Sequence, residues 1–219
     1  MIKFIANSMK KLTLTLILIF IALLCYSQDT ITIKHTNYTT HFSVSKHYPV
    51  LVEWWVTKSM VGCTTPLKRK DDFKPDPKLP IETNLNNYYK ESGYDRGHMC
   101  PAADNLCQGL TVEEECFYFS NMAPQTHTLN AGDWKALELY TRYLAINSDS
   151  IHVWAGNIGE LKKIGNVSVP VKCWKVIYIK KTKQYYAYIF NNDHLEKNGL
   201  QDNVVSVEDI IKLTGIKFY

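Results

Sequence analysis

Apolar positions recur with period two in several short stretches and at helical spacing in two others. Ile31 and Ile33 alternate with threonines over residues 30–34. VLVEWWVT, after Tyr48-Pro49, is a run of β-branched and aromatic residues that predicts a strand. Residues 117–120 form a short apolar strand candidate, followed by an irregular stretch over 121–129 that contains Pro124. A helix is predicted from about Asn130 to Leu144, with Trp134, Leu137, Tyr140 or Thr141, and Leu144 on one face. Residues 151–155, 169–179 and 185–190 predict three further strands, the last two joined by a polar turn around Thr182. Ser206, with Asp209 three residues on and Gly215 closing, predicts a capped final helix. Residues 64–93 carry Pro66, Pro75, Pro77 and Pro80 among many charges and predict a long surface excursion. No repeat occurs, and the irregular interleaving of strands and helices predicts an α+β (mixed) or mixed α/β fold.

The first 27 residues change the reading of the ends and of the charge. Lys3, Lys10 and Lys11 precede an apolar run from Leu12 to Leu24, and Ser27 offers a small residue before a cut. The run is short for a spanning helix, which needs roughly 20 residues, so it predicts a signal peptide rather than an anchor. The expectation is export to a periplasm or the medium, with residues 28–219 as one domain and no lasting membrane association. The full chain carries 25 basic and 21 acidic residues, a net charge of +4. Removing three leader lysines leaves 22 against 21, so global charge says little about polyanions. Local clusters at Lys68-Arg69-Lys70, Lys162-Lys163 and Lys180-Lys181-Lys183 are candidates for a phosphate-facing rim or for an ordinary solvated surface. Five cysteines remain beyond the leader, an odd number in a compartment that permits disulfides. Cys107 and Cys116 are close enough in sequence to close a small loop, and that pairing is the expectation.

Three segments carry candidate chemistry: YDRGHMCPAAD (94–104), FSNMAPQ (119–125) and LNAGDWKALELYTR (129–142). Residues four apart on a helix drift by about 40°, so Asn130, Trp134, Glu138 and Arg142 form one stripe. Asn130 sits at the predicted helix start, and its amide oxygen suits Mg²⁺, a hard cation that keeps several waters. Glu138 can hold those waters, and Arg142 can neutralise phosphate. Taken singly, the same residues read as a cap and a surface i,i+4 pair. Arg96 and His98 alternate, so on a strand they share a face, placing a base beside a phosphate-binding cation. Asp95 and Asp104 read on their own as turn-forming residues. His127 reads first as a loop residue.

The order and spacing of D-R-G-H, N-x-x-P-Q and L-N-x-x-x-W-x-x-L-E resemble the DNA/RNA non-specific endonuclease family. The resemblance implies a central antiparallel sheet with flanking helices and a ββα-metal finger. It implies a hydrolase cutting DNA and RNA with little sequence preference, to give a 5′-phosphate and a free 3′-hydroxyl. It implies His98 as general base and Arg96 and Arg142 on phosphate. Asn130 then corresponds to the direct ligand of Mg²⁺, with Mn²⁺ as an alternative, and Glu138 to the acid acting through water. Asn121 and Gln125 correspond to supporting polar residues in the site. VPVKCWKVIY resembles the family strand with a near-central lysine, and TGIKFY its closing helix-to-strand segment. Some members are homodimers, which extends that expectation here. Competing readings on the same residues are a structure-selective or toxin-like nuclease and a non-catalytic polyanion-binding protein.

Overall fold

The computed structural model describes residues 29–80, 85–193 and 199–218. The leader therefore lies outside the described residues. Among them, no helix is long and apolar enough to cross a membrane.

The chain opens with three antiparallel strands, β1 (Thr30–Lys34), β2 (Tyr38–Ser43) and β3 (Tyr48–Thr57), and a short helix α1 (Lys58–Val61). After the proline-rich excursion come helix α2 (Leu85–Tyr89) and strand β4 (Tyr94–His98). Helix α3 (Leu110–Glu115) leads to β5 (Met122–Thr126), a helical turn α4 (His127–Leu129) and the long helix α5 (Lys135–Ser148). The rest is β6 (Ser150–Ile158), β7 (Lys162–Ile164), β8 (Val167–Val169), β9 (Lys172–Ile179), β10 (Gln184–Asn191), β11 (Val204–Val205) and helix α6 (Val207–Thr214).

Seven strands form one sheet in the order β1-β2-β3-β6-β9-β10-β11, with every pairing antiparallel. Strand alternation sends Val52, Trp54, Val56, Val153 and Ile177 to one face, where they bury against Leu137, Leu144 and Ala145 of α5. The other parity sends Trp154, Trp174 and Val176 to the opposite face, against Ile210 of α6 and Phe218. Ser206 caps α6 through a reciprocal capping box with Asp209, and Gly215 ends it in the left-handed conformation that glycine adopts without strain. Strands β4 and β5 form a separate antiparallel pair. With α5 after them they give the ββα arrangement.

Several local expectations are corrected. Residues 117–120 form no strand: Phe119–Asn121 is a 3-10 turn, and the strand lies one step later, at Met122–Thr126. It carries Pro124, tolerated because β4 is its sole strand neighbour in that two-stranded sheet. The predicted helix from Asn130 is broken. A π-helical turn over Asn130–Trp134, with Gly132 outside helical geometry, precedes α5. Pro170 splits the predicted strand 169–179 into the end of β8 and β9, because it cannot donate to a ladder. Residues 215–218 are not a strand. The disulfide joins Cys63 to Cys107, not Cys107 to Cys116. Cys116 is buried instead, its thiol 3.3 Å from the Val112 carbonyl and 3.1 Å from the Asn105 amide.

Candidate active site

The site is built on the β4–β5 pair. Gly97 faces Ala123 across the pair, and a Cβ added there would run into the side chain of Gln125. A hydrogen is the only side chain that fits, which accounts for glycine between Arg96 and His98. Asn121 is fully buried behind the strand. Its carbonyl oxygen accepts from the Cys100 amide at 2.9 Å, and its amide donates to the carbonyls of Cys100 and Cys116 at 2.8 and 2.9 Å. It pins the backbone that leaves His98 and does not line the cleft, so its place is that of a positioning residue. Gln125 is likewise fully buried, under Gly97.

His98, Arg96, Asn130, Glu138 and Arg142 line one cleft of about 500 Å³. The His98 ring is held edge-to-face by Phe117 at 5.1 Å and tilted against Phe73 at 5.6 Å. It is 7% exposed, and its buried Nε2 has no hydrogen-bond partner among the described residues. Burial, and then the charge of Arg69, push its pKa down to about 3, so the ring is neutral at pH 7. The Arg96 guanidinium donates from Nε to Asn86 Oδ1 at 2.9 Å. It also lies over the rings of Phe73 and Tyr89, at 5.2 and 5.5 Å.

Asn130 lies in the π-turn, five residues before α5 begins, and not at the helix start expected for it. Its amide nitrogen donates to Asp95 Oδ2 at 2.9 Å. A carboxylate only accepts, so the amide is oriented and its oxygen is left for another donor or a cation. The same Asp95 oxygen meets Nδ1 of the exposed His127 at 2.9 Å. Asp95 is therefore not a turn former; it fixes the amide at the cleft. Asp104 does lie in a 3-10 turn over Ala102–Asp104, but its side chain is engaged elsewhere. Buried completely, it accepts from Arg142 Nη1 and from Trp54 Nε1, both at 3.1 Å. Arg142 thus pairs with Asp104 rather than with Glu138. Burial raises the Glu138 pKa to about 7, with Lys175 pulling it down and Asp104 pushing it up. Lys175 is fully buried, its ammonium over the Trp134 ring at 4.2 Å and over Trp54 at 5.8 Å.

The pattern of the three segments missed part of this lining. Arg69, Asp71 and Phe73, from the proline-rich excursion, wall the cleft, as does Lys135. The Arg69 guanidinium lies 5.5 Å over the Phe117 ring. The basic cluster at 68–70 was the signal available for it. Among the described residues, no group of three or more His, Cys, Asp or Glu could hold a metal ion.

The profile of the family described as DNA/RNA non-specific endonuclease matches residues 24–219. The chain belongs to that family. A nuclease of Nostoc sp. is 32% identical over 199 residues, covering 83% of this chain and 70% of that protein. The mitochondrial nuclease EXOG of Homo sapiens is 30% identical over 207 residues, covering 84% of this chain. This chain spans just over half of the human protein's length, 56%. Among solved structures, that of EndoG in complex with EndoGI superposes with a TM-score of 0.78 at 26% identity, covering 85% of this chain and 84% of that one. As a non-specific endonuclease, the protein is a phosphodiester hydrolase whose family works with a divalent metal ion.

Proposed function

We propose that the protein hydrolyses DNA and RNA in this cleft, with His98 as general base and one hydrated Mg²⁺ on the amide oxygen of Asn130. What carries the reading is the sharing of one cleft by two features. One is a neutral imidazole that lines it; the other is an amide turned by Asp95 so that its oxygen remains available. A site of one amide ligand and water does not require a cluster of three acidic or imidazole ligands. Glu138 lines the same cleft, where it can act on the ion's water shell, and Mn²⁺ suits the same oxygen donors. When bound, the ion supplies charge neutralisation for the phosphoryl oxygens and the leaving 3′-oxygen.

Arg96 and Arg142 hold the phosphate. Each is oriented by a partner on one side, Asn86 and Asp104 respectively. His98 takes the proton of the attacking water. Burial between Phe73 and Phe117, with Arg69 nearby, keeps the ring uncharged at pH 7 and lowers its basicity, which the negative charge of a bound phosphate raises again. Contacts of this kind read the backbone rather than the bases, which favours broad specificity that weakens as salt rises. The Cys63–Cys107 disulfide suits an oxidising compartment, in keeping with export after cleavage of residues 1–27 and a single domain over 28–219. The test is a Mg²⁺ titration of plasmid cleavage by Asn130→Ala. The variant needs about tenfold or more extra Mg²⁺ for half-maximal rate; an unchanged titration curve removes Asn130 from the ligand role.

A further inference from the structure

On the sheet face opposite α5, four aromatic rings line up in register across four adjacent strands. Trp55 of β3 pairs with His152 of β6, His152 with Tyr178 of β9, and Tyr178 with Tyr185 of β10. Their positions share the parity of Trp154, Val176 and Ala187, so the row lies beside the patch covered by α6 and Phe218. Its ends are exposed, while His152 and Tyr178 between them are half-buried, Tyr178 packs against that patch, and the Tyr185 hydroxyl donates to the Phe218 carbonyl at 3.1 Å. Trp55 is 42% exposed and Tyr185 36%, at its two ends. Trp55 and His152 are stacked at 4.5 Å with 5° between planes, and Tyr178 and Tyr185 lie 4.7 Å apart. Three strand spacings make the row roughly 14 Å long.

The surroundings are basic. The turn joining β9 to β10 carries the exposed Lys180, Lys181 and Lys183, and the Lys180 ammonium lies 5.9 Å over the Trp55 ring. At the Trp55 end the row opens into a groove of about 420 Å³ that Lys34 also lines. Glu53, the carboxylate lining that groove, is already engaged. Its Oε2 accepts from Trp154 Nε1 at 3.2 Å and lies 3.8 Å from His152 Nε2, while its Oε1 lies 4.0 Å from His41 Nε2.

We propose that this row is a second nucleic-acid site, distinct from the cleavage cleft, that stacks the bases of a single strand while the 180–183 turn and Lys34 hold its phosphates. Because Trp55 and His152 are stacked face to face, unpaired bases stack at the exposed ends of the row, on Trp55 and Tyr185, and every base offers a face, so the site is indifferent to sequence. A duplex keeps its base faces covered and gains only the lysines. The site rests on the reading of the protein as a nuclease in one respect: it gathers single-stranded substrate and favours long strands over short ones.

The test measures binding of the whole protein, in EDTA, to a fluorescent single-stranded oligodeoxythymidylate of about 15 nucleotides and to a duplex of equal length. Trp55→Ala and Lys180→Glu each weaken single-strand binding by about fivefold or more, and duplex binding changes by less. With Mg²⁺, Trp55→Ala raises KM on long single strands and leaves kcat on plasmid duplex unchanged. Trp55→Tyr retains binding. If Trp55→Ala melts early, Lys180→Glu, on an exposed turn, decides alone. Folded variants that bind the oligonucleotide as tightly as the unaltered protein overturn the proposal and give the row to another partner. Absence of plasmid cleavage by the unaltered protein sinks the nuclease reading without touching the binding result.

Discussion

The indole Nε1 of Trp134 donates to the backbone carbonyl of His98 at 3.0 Å. The two halves of the site are thereby locked together: the strand that carries the base is bonded to the helical segment that carries Asn130, Glu138 and Arg142. Trp134 is fully buried and packs on Lys175 and Phe190. Trp134→Phe keeps most of the packing and loses the bond. The expected result is a loss of roughly 1 kcal/mol in denaturant unfolding and a fall in kcat of about tenfold. Unchanged kcat in a folded variant would remove the bond from the positioning of His98.

Glu138 gives the site its pH dependence. Burial raises its pKa to about 7, so below that pH the carboxyl is held protonated and neutral. A cation favours the ionised form, so Mg²⁺ binding at or below neutrality must release a proton. Apparent Mg²⁺ affinity therefore rises with pH through about 7 and levels off above it. Well below 7 it falls by up to about tenfold per pH unit. Calorimetry in two buffers of different ionisation heat reads the released proton directly. In Glu138→Gln both the release and this pH step disappear. An affinity that is flat from about pH 6 to 8 would contradict the role given to Glu138.

The Cys63–Cys107 bridge closes a segment of 44 residues that includes Arg69 and Phe73, both walls of the cleft. Beside it, the Leu67 amide donates to the Leu106 carbonyl at 2.8 Å. Chain-entropy reasoning gives a loop of that size up to about 4 kcal/mol, and typical bridges deliver about 2–4. Cys63→Ser should lower the melting temperature by about 4–15 °C and loosen the wall that shields His98. Equal melting temperatures for the variant and the unaltered protein would show that the bridge contributes nothing.

Where sequence and structure agree, the signal was periodic. The β-branched runs placed β1, β3, β6 and β10 within a few residues, and Ser206 with Asp209 placed α6, because a half-buried sheet and a capped helix write their geometry into short patterns. The i,i+4 stripe brought Asn130, Glu138 and Arg142 to one cleft, although the helix between them is broken. The break at Gly132 leaves no mark in that spacing, and Trp134 of the same stripe turns into the core instead of the cleft. The misplaced strand at 117–120 has a related cause. Phe117 and Phe119 are apolar because they pack against His98 and Tyr89, not because they alternate on a sheet. What no local pattern could show is long-range charge. Asp104 serves Arg142 and Trp54, Lys175 lies among tryptophans, and Arg69 reaches the cleft from a loop. Each depends on elements tens of residues apart meeting in space.

The central claim is that the shielded imidazole of His98 takes the proton of the attacking water. The most direct measurement is the initial rate of plasmid DNA and RNA cleavage by purified His98→Ala, with Mg²⁺ and with EDTA, and with free imidazole added back. The account predicts a folded variant slower by about 10²–10⁴-fold on both substrates, partial rescue by imidazole, and no cleavage by either protein in EDTA. A His98→Ala rate near that of the unaltered protein would contradict it.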